Sequence, residues 1–130
     1  MSRKIAVALV VAILANLPVS GFAQTDETLW KLIELDGKAF AAEAQLTLPQ
    51  GGLIRGRGPC NSFFASVEGD LPALVIGPVA STKMACPDLG LESQFFAALS
   101  ETVWAERTRD EALILGDAKS PRMVFVRISQ

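Results

Sequence analysis

Apolar and polar residues alternate along most of the chain beyond residue 28. In TLWKLIEL, Leu29, Lys31, Ile33 and Leu35 fall on one side and Trp30, Leu32 and Glu34 on the other, which predicts a strand whose outer face is only partly polar. AEAQLTL predicts a second strand. Pro49 then presets a turn, Gly51 and Gly52 supply positive backbone angles, and LIRGR returns, so residues 43–57 read as a hairpin. ALVIG at 73–77 predicts a short strand, and WAERTR with EALILG predicts a second hairpin about Asp110. The closing MVFVRI is almost continuously apolar, which predicts either burial on both faces or a strand that completes a curved sheet.

One segment departs from this period. CPDLGLESQFFAALSETV carries Leu91, Phe95, Ala98, Leu99 and Thr102 at helical spacing, with Glu92 and Gln94 placed to face water. Pro87 and Asp88 form its entrance, with Gly90 blurring the first turn. A β-rich chain with one amphipathic helix predicts an α+β fold, a curved antiparallel sheet whose open side or end the helix covers. That arrangement buries the stripe of Phe95, Phe96 and Leu99 and shields a sheet edge.

The N-terminus changes what the rest must do. A short basic MSRK precedes an apolar run of thirteen residues, 5–17, too few for a bilayer-spanning helix of about 20 residues, and small Gly21 and Ala23 follow Pro18. Residues 1–23 therefore read as a signal peptide cleaved after Ala23. A domain at 24–130 is left with no stable membrane anchor and a periplasmic or secreted address. Arg3 and Lys4 leave with the leader while all 14 acidic residues stay, so the formal charge moves from −2 to −4. The cations are scattered apart from the Arg55/Arg57 and Arg107/Arg109 pairs, which argues against nucleic acid as a partner and reads as solvated strand faces.

In an oxidising compartment, the two cysteines, Cys60 and Cys86, suggest a disulfide. Closing their loop would stabilise the fold by about 3.5 kcal/mol on the chain-entropy argument. The remaining alternative is a redox pair, since Cys86 lies near a helix start. The spacing is not C-x-x-C, and two cysteines without histidine supply too few ligands for zinc.

The absence of histidine excludes Ser-His-Asp and Cys-His chemistry. The pairs Asp110/Glu111 and Glu68/Asp70 sit in predicted turns. GGLIRGRG lacks the G-K-[ST] of a phosphate loop, so neither an enzyme nor a cofactor is expected. Two readings remain. Asn61, Ser62, Thr82 and Lys83, brought together by the bridge, form a loop for an envelope protein or cell-wall partner; alternatively, the sheet interior holds a small apolar ligand under the helix. Beside both stands the plainer role for Asn61 and Thr82 of satisfying backbone groups in loops.

LWKLIELDGK, IRGRGPCNSFFASV, IGPVASTKMAC, ESQFFAALSETV and the closing LILGD and MVFVRI together resemble the META domain family of HslJ-like heat-shock proteins. Trp30, the glycine-cysteine-asparagine element of Gly58, Cys60 and Asn61, and the run Thr82, Met84, Ala85 and Cys86 match its pattern in order. Pro59, Ala65 and Val67 depart from it within one loop. The resemblance implies a compact, partly open antiparallel β-barrel with one helix packed across it. It also implies an envelope or secreted setting beside stress-response or virulence systems, and no established enzymatic activity.

Overall fold

A computed structural model describes residues 28–128. The expected leader, residues 1–23, lies outside the described residues. The strands are β1 (Leu29–Leu35), β2 (Lys38–Ala39), β3 (Gln45–Gln50), β4 (Leu53–Arg57), β5 (Ser62–Glu68) and β6 (Val75–Ser81). A helix, α1 (Leu89–Ser100), leads to β7 (Trp104–Arg107), β8 (Ala112–Asp117) and β9 (Ser120–Ile128). They form one antiparallel sheet in the order β6-β5-β4-β3-β1-β9-β8-β7, with β2 paired to β1. This is the β-rich α+β fold expected, with the sheet curved and not closed.

Two meanders, β3 to β6 and β7 to β9, are built from local hairpins, and β1 joins them by pairing with β3 on one side and β9 on the other. The free edges are therefore β6 and β7, the two strands that α1 connects. Where they approach, Ile76 N–H donates to Thr102 C=O at 3.0 Å and Ala105 N–H to Pro72 C=O at 2.9 Å. Backbone groups at the edges thus find partners without a continuous ladder between the strands, which removes part of the hazard of a bare edge.

The inner face is filled. Trp30, Leu46, Phe95, Leu99, Leu113, Leu115, Met123 and Phe125 are fully buried, with Leu32 and Ile54 beside them. Phe95 lies 5.5 Å from Phe63 and 6.3 Å from both Phe40 and Phe125, ring centre to ring centre. Such pairs add about 0.5–1.5 kcal/mol each beyond burial. The helix's aromatic stripe is therefore core packing. Trp30 sits under the Arg107 guanidinium at 5.4 Å, and its indole N–H has no acceptor among the described residues.

Three expectations change, and one open alternative is decided. Residues 62–68, placed in a loop by sequence, form β5, because Phe63 and Ala65 alternate inward against solvent-facing Ser62, Phe64 and Ser66. The strand expected at 73–77 lies further on, at Val75–Ser81. In β1 a bulge between Leu32 and Glu34 resets the alternation, so Leu35 turns inward with Leu32 while Ile33 is 40% exposed. Finally, β9 is buried on one face only: Met123 and Phe125 are buried, while Val124 and Val126 are half-buried, so this strand completes the curved sheet.

Asp36 and Gly37, both at positive φ, make the two-residue turn between β1 and β2. The Asp36 carboxylate accepts from Arg122 Nε at 2.9 Å and from a second guanidinium nitrogen at 3.2 Å, and Arg122 also pairs with Glu101 at the end of α1. The hydrogen bond from Arg122, helped by its charge and opposed by partial burial, holds the Asp36 carboxyl below its ordinary value of 3.8. Because the folded value is the lower one, the stabilisation is present above about pH 3.8 and fades as pH falls through the folded value. Both side chains are partly exposed, so its size is modest. A carboxyl-detected NMR titration is expected to show the Asp36 midpoint rising toward its ordinary value in Arg122→Ala; an unmoved midpoint would refute the pairing.

Candidate functional site

The chain between β4 and β5 is the short turn Gly58-Pro59-Cys60-Asn61, in which Gly58 N–H donates to Asn61 C=O at 2.8 Å. Pro59 has no N–H, so the turn's other two donors are Cys60 and Asn61. Both donate to one oxygen, Oε2 of Glu92, each at 2.7 Å. Consecutive backbone N–H groups converging on a carboxylate form a small anion-binding nest, and Glu92 in the first turn of α1 fills it. A methyl group on Gly58 would come within 2.7 Å of Glu92 Oε2 and 3.2 Å of the Phe96 ring, so glycine is what lets the helix approach this closely.

Asn61 extends the network. Its Nδ2 donates to Glu92 Oε1 at 2.6 Å and to Met84 C=O at 3.1 Å; its Oδ1 accepts from the Thr82 hydroxyl at 2.9 Å and from Met84 N–H at 2.6 Å. All four hydrogen-bonding positions of the amide are used. Asn61 and Glu92 are each 3% exposed. The disulfide Cys60–Cys86 closes the same region, with Cα atoms 5.7 Å apart, inside the usual range. No cysteine among the described residues remains free.

Residues 82–86 lack regular structure, yet they are fastened at Thr82, at Met84 and at Cys86. Thr82 N–H also donates to Ser62 C=O at 3.1 Å, extending the β5–β6 ladder by one step. The four residues expected to form a loop, Asn61, Ser62, Thr82 and Lys83, are thus brought together. Their roles differ. Asn61 is buried and saturated, as in the plainer reading, and the Thr82 hydroxyl is committed to it. Ser62 and Lys83 face solvent, as does Met84 at 68% exposure. Between this loop and α1 lies an open cleft of about 310 Å³, bordered by Lys83, Met84, Leu89, Ser93 and Phe96.

Glu92, Gly58 and Met84 were missed as site residues by sequence reasoning. Glu92 had been expected to face water. Its position falls on the buried stripe, since 92, 95, 96 and 99 follow the i, i+3, i+4, i+7 spacing. The signal was present in the period, but residue type pointed the other way. Both Glu92 oxygens accept hydrogen bonds from the turn, so this carboxylate serves structure. A second cleft, about 470 Å³, opens at the sheet end between the β3–β4 and β5–β6 turns, lined by Leu48, Gly52, Val67, Leu71 and Leu74.

Residues 23–130 match the META domain. Among solved structures the chain is similar to a protein from Burkholderia xenovorans determined by NMR, with a TM-score of 0.60 and 24% identity over 81% of this chain and 84% of that one. At that identity the likeness shows the fold alone. No curated protein matches the chain.

The network predicts strong coupling. Glu92→Ala leaves three donors without their acceptor and is expected to cost about 3 kcal/mol or more, and Asn61→Ala about 2 kcal/mol. Urea unfolding of both single variants and the double variant, disulfide intact, should give an interaction energy of about 1 kcal/mol or more. Strict additivity would mean that the two side chains act independently.

Proposed function

The chain belongs to the META domain family, and from that premise we propose that it is an exported, non-enzymatic binding module whose contact surface is the fastened loop at residues 82–86. One observation carries this reading: an irregular segment is held by a disulfide, by Asn61 and, through Asn61, by Glu92, while Lys83 and Met84 remain exposed. A loop ordered before binding loses less entropy when a partner arrives. The buried polar groups of the site, Asn61, Thr82 and Glu92, are already committed to one another and to the backbone, and the chain offers no imidazole. The basic and apolar leader supports a periplasmic or secreted address, where the disulfide is stable. The stress-response setting of HslJ-like proteins supports a role in the envelope under stress.

The alternative, a carrier for a small apolar ligand, draws on the 470 Å³ cleft at the sheet end. The sheet interior itself is occupied by Trp30, Phe95, Phe125 and their neighbours.

A photo-crosslinking residue placed at Met84 in the protein as cells export it is expected to give a discrete protein adduct, with none from the same residue at Lys119 on the β8–β9 turn. Intact mass of the same material should begin at Gln24 and gain two alkyl labels only after reduction. Equal labelling from both positions, or retention of residues 1–23 with free thiols, would refute the reading. Binding of a hydrophobic dye by the fully folded protein, abolished by Leu71→Glu at the cleft, would favour the carrier.

A further inference from the structure

The β5–β6 ladder continues past the end of β6. One step beyond the pair Phe63 and Ser81, Thr82 N–H donates to Ser62 C=O at 3.1 Å. In an antiparallel ladder, pairs that exchange hydrogen bonds alternate with pairs that do not. Ala80 and Thr82 therefore turn their backbone groups toward β5, while Val79 and Ser81, opposite Ala65 and Phe63, turn theirs away. Met84 keeps the period, since its N–H and C=O both meet the Asn61 side-chain amide, at 2.6 and 3.1 Å. That amide stands in for the next peptide group of a neighbouring strand. Lys83, between Thr82 and Met84, thus directs its N–H and C=O outward as Ser81 does.

Because β6 ends the sheet, these outward groups meet no further strand. Val79, Ser81 and Lys83 present a donor and an acceptor at every second residue, and among the described residues no backbone hydrogen bond joins them to another element. The other edge positions differ. Ile76 N–H is taken by Thr102 C=O, and Gly77 and Pro78 form a bulge opposite Ser66. On the opposite edge, β7 has only four residues, and its Ala105 N–H is taken by Pro72 C=O.

The cleft of about 310 Å³ runs beside this free edge. Ser81, Lys83 and Met84 line it from the edge, and Leu89, Ser93 and Phe96 line it from α1, recurring at i, i+4 and i+7 on one helix face. The polar side chains that also line it, Asn61, Thr82 and Glu92, are hydrogen-bonded within the chain. What the cleft offers is an edge of backbone groups facing an apolar helix wall.

We infer that an extended polypeptide segment with alternating apolar residues binds here as an added strand, pairing with Val79, Ser81 and Lys83 and setting its apolar side chains against Leu89 and Phe96. The inference rests on the binding-module reading and names how the partner is held. Donors and acceptors at a two-residue spacing match another peptide backbone, and neither a glycan nor a lipid repeats that pattern. From Val79 to Lys83 the edge spans about 13 Å at the usual strand rise, which suits a segment of about five residues. A second copy offering its own β6 would carry its α1 into a cleft already walled by this one, so a lone segment fits better.

The probe is a fluorescent hexapeptide alternating leucine and threonine, titrated by anisotropy into the exported protein. Strand pairing makes binding depend on which amides are free. N-methylation of the leucine amides and N-methylation of the threonine amides remove different donors, so one is expected to weaken binding about tenfold or more and the other to have little effect. Lys83→Pro, which removes an outward donor without touching those of Thr82 and Met84, should weaken it by a similar factor, as should Leu89→Lys at the helix wall. Unchanged thermal unfolding confirms that both variants are folded, and the N-methylated peptides test the pairing on the unaltered protein. Equal binding of the two N-methylated peptides, or undiminished binding by Lys83→Pro, overturns the inference. Slowed exchange of the Ser81 and Lys83 amides on raising protein concentration alone, with a dimer in sedimentation, overturns it in favour of a second copy. Failure of the peptide while the Met84 adduct still forms removes this inference alone; loss of both removes the binding-module reading as well.

Discussion

A buried carboxylate holds this structure together at its least regular point. Glu92 accepts from two consecutive backbone N–H groups of the Gly58–Asn61 turn and from the Asn61 amide, fixing the start of α1 against the end of the β4–β5 hairpin. Inside a protein such bonds are strong and an unpaired partner is costly, so turn and helix are correct together or wrong together. Gly58 permits the approach, Asn61 passes the constraint to Thr82 and Met84, and the disulfide fastens the same two stretches covalently.

The placement of α1 matters because it links β6 to β7, the two edges of the curved sheet. A helix that begins in the wrong place leaves both edges bare. With its start fixed by Glu92 and its end joined to Asp36 through Arg122 and Glu101, it lies where Phe95, Ala98 and Leu99 are buried in the sheet's core. Thr102, just beyond the helix, then offers its carbonyl to Ile76 on β6 and its hydroxyl to the Ala98 carbonyl. Edge protection, helix docking and the loop clamp are consequences of one geometry.

The same geometry separates groups that stabilise from groups that can recognise. Asn61 and Glu92 are polar and buried, but their hydrogen-bonding capacity is spent within the chain. The side chains of Lys83 and Met84 stand exposed on a segment held rigid from beneath, and Arg55, Arg57 and Phe64 project from strands whose opposite face is core. A recognition surface on this fold therefore lies outside the network, although the network shapes it.

Much of the fold was legible in the chain. Alternation marked β1, the β3–β4 hairpin, β7, β8 and β9; helical spacing marked α1; and the cysteine pair pointed to the bridge. The Asp36-Gly37 pair also signals a two-residue hairpin, though the short β2 was not read from it. Other features depended on contacts distant in sequence. The bulge in β1 reverses the face of Leu35 only because β9 pairs alongside it, and Ser62–Glu68 becomes a strand only between β4 and β6. Glu92 was assigned to water because a lone carboxylate belongs there, unless backbone donors meet it inside. Those donors lie about thirty residues away, in a turn whose direction no local pattern encodes. The sequence by itself determined the periods, the turns and the cysteine pair; tertiary structure decided which polar groups were satisfied internally and which were left free, because that depends on what each one meets when the sheet curves.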